Sequence, residues 1–446
     1  MTKSFLSDVP DFQTERQNFL NGRSKPSAFL EACIRNIEAK EPTIRAFAYL
    51  DLENARDAAR EADNRYSAGK PLSAIDGMPI VVKDIIDTKD MPTEMNSPFF
   101  AENRPRFDAA CVAAARLGGA VLLGKSVTTE FALGRSGPTT NPHNPKHTPG
   151  GSSSGTAAGA ASGMFPAGFA TQTQGSILRP ASFNGVVGFK PSHGALSIEG
   201  IHPVSQTHDH LGAIGHSVDD AWGLSHWIAR TVPGHSPMAL PVPDDGPLPA
   251  VMPQRLAVAR LQGFEELDGD SLSAFENCLE ALKARGVTLV EPAQDATLAD
   301  VLERLCAIPE MSPRMVAYDM LLRFRHYCQA APDQISQRLH EWVALGEDVS
   351  FEEYGRMLAA RDELRRCVQH LSATYDAVVL PAASGPAPEG LGQTGSRTLL
   401  QYWTFLGFPA FSLPMMRVRD MPFGLQLGGF GQGDHRLAQH AKWLAS

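Results

Sequence analysis

The chain has few cysteines, no C-x-x-C pair, no long apolar run and no excess of positive charge, and each shortage closes off a class of protein. Its six cysteines, Cys33, Cys111, Cys278, Cys306, Cys328 and Cys367, lie far apart. That spacing predicts neither a disulfide framework nor a cysteine-ligated metal. No apolar stretch approaches the roughly 20 residues needed to cross a bilayer, and the opening MTKSFLSDVPDFQTER lacks an apolar signal core. A reduced, cytoplasmic protein that stays out of membranes is expected. Lys and Arg number 40 against 49 Asp and Glu, a formal charge of −9 without long like-charge runs. No basic face is available to neutralise phosphates, so nucleic acid is not expected as a direct ligand. No repeat of fixed period is visible. What remains is ordinary: 43% hydrophobic and 20% charged residues, the composition of a folded globular chain.

Along the chain, SKPSAFLEACIRNIEAKE places Phe29, Cys33, Ile34 and Ile37 on one helical face, with Pro26 suited to a first turn. A second helix is expected from about Asp51 to Tyr66. GMPIVVKDIID then reads as a strand ending in charge, and DAACVAAARLGGAVLLGK as helix, glycine stop and buried strand, with Asp108 placed to cap the helix and Gly118 to end it. Strand, helix, strand resumes in RLAVARL, SLSAFENCLEALKARG and VTLVEP. Residues 295–372 read as almost wholly helical, and YDAVVLPAA, LGFPAFSLPM and FGLQLGGF return to strands. The alternation predicts one α/β unit over 1–446, a central mixed twisted sheet with helices on both faces. Within it fall N-terminal helices (1–70), a core (71–225), a helical insertion or cap (295–372) and a C-terminal return to the sheet (373–446).

The stretch GGSSSG at 150–155 admits three readings. A flexible linker would be polar and exposed, but TAAGAASGMFPAGFA follows it, a run of small residues suited to close backbone packing. A nucleophile elbow, G-x-S-x-G centred on Ser153, needs a strand just before it. The preceding NPHNPKHTP is broken by prolines. The third reading is a buried turn belonging to an active site. The histidines of HDH at 208–210, with His202 and His216, lack the spacing of a metal signature, and Asp209 is expected to hydrogen-bond within a loop. Arg135, Lys125 and Glu130 are expected to be structural.

Taken together, VVKDIID around Lys83, HTPGGSSSG around Ser152 and TQTQGSILRPASFNGVVGFKPSHG around Ser176 closely resemble the amidase signature family. The resemblance continues through DGMPI, GKSVTTEFA, THDHLGAIGHSVDDAW, LGFPAFSLP and FGLQLGG, over nearly the whole chain. It implies a Ser-cis-Ser-Lys triad: Ser176 as nucleophile, Ser152 as bridge across a cis bond from Gly151, and Lys83 as base. It also implies an oxyanion hole built from the backbone N–H groups of Thr173, Gln174, Gly175 and Ser176. No cofactor or metal is implied. Gln172 and Gln174 stand where the family commonly has Asp and Gly. Arg179 stands three residues after the nucleophile rather than two, as in a malonamidase-like branch.

The chemistry agrees with these types. A serine hydroxyl is a weak nucleophile until a base takes its proton. A lysine titrating near its usual value of about 10.4 can be that base only if burial keeps it neutral. Val81, Val82, Ile85 and Ile86 around Lys83 would supply the burial. The expected activity is hydrolysis of a small-molecule amide, one that can carry a carboxylate, through an acyl-enzyme on Ser176, by the chain alone or as a homodimer. Arg179 is either the residue that grips such a carboxylate or a structural arginine bonded to carbonyls. The alternative is a glutaminase component resembling the A-type component of tRNA-dependent amidotransferases, releasing ammonia for a partner.

Overall fold

The computed structural model describes residues 11–236, 240 and 247–446; the first ten residues, part of the stretch read for a signal core, lie outside the described residues. Eleven strands form one sheet: β1 (Phe47–Leu50), β2 (Pro79–Lys83), β3 (Val121–Ser126), β4 (Ala167–Gln172), β5 (Val187–Lys190), β6 (His210–Gly215), β7 (Arg255–Val258), β8 (Thr288–Val290), β9 (Ala377–Pro381), β10 (Ala410–Val418) and β11 (Met421–Gly428). Their spatial order is β1-β3-β2-β4-β6-β5-β10-β11-β9-β7-β8. β2 runs parallel to both β3 and β4, β7 is parallel to β8 and β9, and the other pairings are antiparallel. The sheet is mixed, as expected.

Side-chain alternation along the strands divides the core in two. Ile80 and Val82 of β2, Leu122 of β3 and Ala377 and Val379 of β9 join one apolar cluster. Val81, Val121, Leu123, Val378 and Leu380 join the other, on the opposite face. Helices supply the other half of each layer. Phe275 and Leu279 of Gly269–Ala284 and Leu437 and Ala441 of Asp434–Ala445 cover the first face. Leu30, Ile34 and Ile37 of Pro26–Ile44 and the short helix Ser154–Ala161 cover the second. Strands buried on both faces read as unbroken apolar runs, which is why PIVVK is wholly buried.

Residues 296–370 form four helices, Ala296–Leu305, Ile308–Ala330, Gln337–Glu347 and Phe351–His370. One local expectation fails. The helix Ala110–Leu117 begins at Ala109 with no side-chain cap. Asp108 instead accepts the Lys89 backbone N–H at 3.0 Å and pairs with Arg116 at 3.1 Å. A cation on the same helix outcompetes the helix N–H groups for that carboxylate.

Candidate active site

Lys83 is the last residue of β2, two positions beyond Val81, so alternation turns it to the face covered by the helix Ser154–Ala161. It is fully buried. Nζ donates to Ser152 Oγ at 2.7 Å, to Thr171 Oγ1 at 2.8 Å and to the Thr171 carbonyl at 3.4 Å. Burial holds its pKa well below the ordinary lysine value, while the Asp209 carboxylate pulls weakly the other way.

Ser152 sits in the turn of GGSSSG. Gly150 has φ +76° and the Gly151–Ser152 peptide bond is cis. The turn is cross-linked on every side: Ser152 O accepts from Thr129 N at 3.1 Å, Ser153 N donates to Ser176 O at 3.3 Å, and Ser154 Oγ donates to Val127 O at 3.2 Å. It then enters the helix Ser154–Ala161, buried along its whole length. Such a helix needs small residues on all sides. A Cβ at Gly155 would collide with Ala46 O and Val127 N. GGSSSG is therefore a packed corner.

The strand–turn–helix lies at Ser176: β4 ends at Gln172 and the helix Leu178–Asn184 follows. Gln172 braces the intervening loop. Its Oε1 accepts from Ile177 N at 2.8 Å and Leu178 N at 3.0 Å, and its Nε2 donates to Thr404 Oγ1 at 2.7 Å. Thr173 Oγ1 donates to Asp209 Oδ1 at 2.7 Å, and Asp209 Oδ2 accepts from Val204 N and Ser205 N. Among the described residues, the backbone N–H groups of Thr173, Gln174, Gly175 and Ser176 donate to no protein acceptor, and the Ser176 hydroxyl has no hydrogen-bond partner. Ser176, Ser152, Gln174, Gly175 and Arg179 line one cavity, together with Thr129, Thr394, Arg338 and Arg397. No hydrogen bond joins the Ser152 and Ser176 hydroxyls in this structure.

Arg179 lines that cavity, yet its donors are turned to carbonyls. Nε and Nη2 donate to Gly151 O at 3.2 and 2.7 Å, and Nη1 to Gly395 O at 2.9 Å and Ser396 O at 3.4 Å. Lys125 pairs with Asp84 at 3.2 Å, and Glu130 with Arg135 at 3.1 Å. His208 and His210 are buried, His210 Nδ1 lying 2.6 Å from His208 O and His208 Nε2 3.3 Å from Ser312 Oγ. Sequence reasoning missed Thr171, Thr404, Arg338 and Arg397. Thr171 was findable, since it follows from alternation beside Lys83. Arg338 and Arg397 lie in no motif, and Thr404 stands two residues before the LGFPAFSLP segment.

The chain matches the Amidase family over residues 28–437. It is 34% identical to the A-type component of glutamyl-tRNA(Gln) amidotransferase from Salinispora tropica, over 99% of this chain and 98% of that protein. It is 31% identical to the protein of the same name from Chloroflexus aurantiacus, over 90% and 88%. A solved structure described as an amidase superposes with a TM-score of 0.85 at 31% identity, over 98% of this chain and 99% of that one. These relatives correct two expectations. Proteins named as one component of an amidotransferase overturn the reading of a free-standing hydrolase of small amides, and with it the chain acting alone or as a homodimer. The sheet, the packed corner and the match along almost the whole length lead to one assignment: the chain belongs to the amidase family and is an amidohydrolase acting on C–N bonds.

Proposed function

We propose that this chain is the A-type, ammonia-releasing component of a tRNA-dependent amidotransferase, with glutamine as its amide. The observation that carries the chemistry is the buried Lys83 Nζ, 2.7 Å from Ser152 Oγ, at the edge of a cavity that also holds Ser176. The names of the relatives carry the biological role. Neutral Lys83 takes the Ser152 proton as Ser152 takes that of Ser176, and Ser176 Oγ attacks the carboxamide carbon. The oxyanion forms against the free N–H groups of the 173–176 loop, donors that need no rearrangement. The lysine ammonium then returns a proton through Ser152 to the leaving nitrogen. Ammonia departs and an ester remains on Ser176. Water, deprotonated by the same relay, releases glutamate.

Arg179 fixes the Gly151 carbonyl and hence the turn that carries Ser152. Its malonamidase-like spacing therefore supports a positioning role in this reading rather than a branch assignment. With a net charge of −9, the chain leaves the holding of tRNA to its partners in the assembly.

The test is co-purification of the chain with its cellular partners, followed by assays of ammonia release from glutamine and amide formation on glutamyl-tRNA. Release of ammonia together with amidation of the tRNA supports the proposal. Failure of both by the full assembly would sink it.

A further inference from the structure

A second cavity, of about 490 Å³, shares no lining residue with the one that holds Ser176. His193, His235 and Arg365 line it, and among the described residues no carboxylate does. It forms where separate chain segments are pinned together. His193 N donates to Gly407 O at 2.9 Å, Ser236 N to Gly194 O at 2.7 Å, and Arg365 Nε, from the helix Phe351–His370, to Leu406 O at 2.7 Å. Two glycines let the side chains close in. A Cβ at Gly194 would strike the His235 ring at 2.3 Å, and one at Gly407, where φ is +67°, would come within 2.6 Å of Arg365 Nη2. The walls are therefore a packed arrangement.

What the cavity lacks is an acceptor for its donors. The ring nitrogens of His193 and His235 bond to no described residue, and the two rings meet edge to face with centroids 5.2 Å apart. Arg365 Nη2 likewise bonds to none, while Nη1 reaches only the exposed Asp362, at 3.5 Å. Ser192 adds no donor, because its N and Oγ both donate to the buried Asp434 carboxylate. Positive charge gathers here from several elements. His193 is pushed down to about 3, first by burial and then by His235, Arg361, Arg365 and Lys190. Arg361 donates to Thr207 O and Lys190 to Phe408 O. Arg365 is left as the cation at the cavity wall, and a cation in a partly desolvated wall favours an anion beside it.

We propose that this cavity is a second ligand site, which takes the phosphate group of a small phosphate monoester. With Nε committed to Leu406 O, Arg365 has lost the side-on fork that suits a flat carboxylate. Its remaining donors and the two imidazoles come from different chain segments, a spread that fits the several oxygens of a tetrahedral anion. The volume exceeds what free phosphate fills, and Leu406 and Phe408 give the rest of the molecule an apolar wall. The site stands apart from glutamine hydrolysis, and its test needs no turnover.

The probes are inorganic phosphate and ribose 5-phosphate, titrated calorimetrically into the full chain. Ribose 5-phosphate binds, and more tightly than inorganic phosphate. Arg365→Gln and His235→Ala each weaken it by about tenfold or more, the loss of one charge-assisted contact, with the thermal midpoint checked for each variant. Should Arg365→Gln fail to fold, His235→Ala carries the test, since that ring bonds to no described residue. Arg397→Gln, in the catalytic cavity, leaves the affinity unchanged. Absence of binding by either probe, or an affinity that neither Arg365→Gln nor His235→Ala moves, overturns the proposal. Binding lost in Arg397→Gln instead places the anion beside Ser176 and overturns it equally, and binding of inorganic phosphate without the ester removes the monoester as the ligand.

Discussion

Lys83 owes its proposed role to burial, and the sign of its pKa shift makes that testable. Only the unprotonated amine can take a proton, and burial lowers its pKa well below the ordinary value. The rate therefore rises with pH as Lys83 loses its proton and reaches its plateau well short of the usual lysine value of about 10.4. A kcat/KM profile whose acidic limb extends to that value would show an unperturbed lysine and remove it as the base. Ser176→Ala is expected to lose turnover by about 10⁴-fold or more, and adding Ser152→Ala or Lys83→Ala costs little further, because a relay fails as a unit. Circular dichroism and the thermal midpoint should show Ser176→Ala folded, since that hydroxyl bonds to no described residue. Gln172 is a different case. Its two ends hold Ile177 N, Leu178 N and Thr404 Oγ1, so Gln172→Leu strands buried groups at about 1–3 kcal/mol and lowers kcat more than KM. A variant with wild-type stability and kcat would show that the brace is idle.

At the scale of elements, the helix Ser154–Ala161 converts small residues into precision. Its approach to Ala46 and Val127 leaves no room for a Cβ at Gly155. Gly155→Ala is expected to cost about 1–3 kcal/mol by overpacking and to reduce turnover, because the turn carrying Ser152 is the start of that helix. Gly355 is the internal control. It lies inside the helix Phe351–His370 with nothing within 4 Å of an added Cβ. Gly355→Ala should raise stability by about 0.4–1 kcal/mol and leave turnover alone. Chemical denaturation of the two variants decides the matter: equal shifts would mean that space around the helix is not the governing variable.

For the whole molecule, the proposed role requires that ammonia made at Ser176 be used elsewhere in an assembly. The complex carrying Ser176→Ala should then fail to amidate glutamyl-tRNA with glutamine but succeed when an ammonium salt is supplied. Failure with both nitrogen sources would place Ser176 in the architecture of the complex rather than in ammonia release.

Much of this protein was legible in its sequence. The alternation of apolar strands with 3.6-period helices yields a mixed sheet between helical layers, because periodicity reports burial locally. Lys83 and Ser152 were named by the resemblance of their stretches to the amidase signature family, since GGSSSG read locally left a linker, an elbow and a buried turn all open. Tertiary structure decided which polar group each side chain meets. Asp108 was placed to cap a helix and pairs with Arg116. Arg179 was either a grip for substrate or a structural arginine bonded to carbonyls, and its donors meet Gly395 O, 216 residues away, and Gly151 O. Arg338 and Arg397 carry no motif at all, and only the fold brings them to line the cavity, Arg397 with its guanidinium over the Trp342 ring. A hydrogen bond is a choice among acceptors within about 3 Å, and which acceptors lie that close is set by chain segments hundreds of residues apart, beyond the reach of any local pattern.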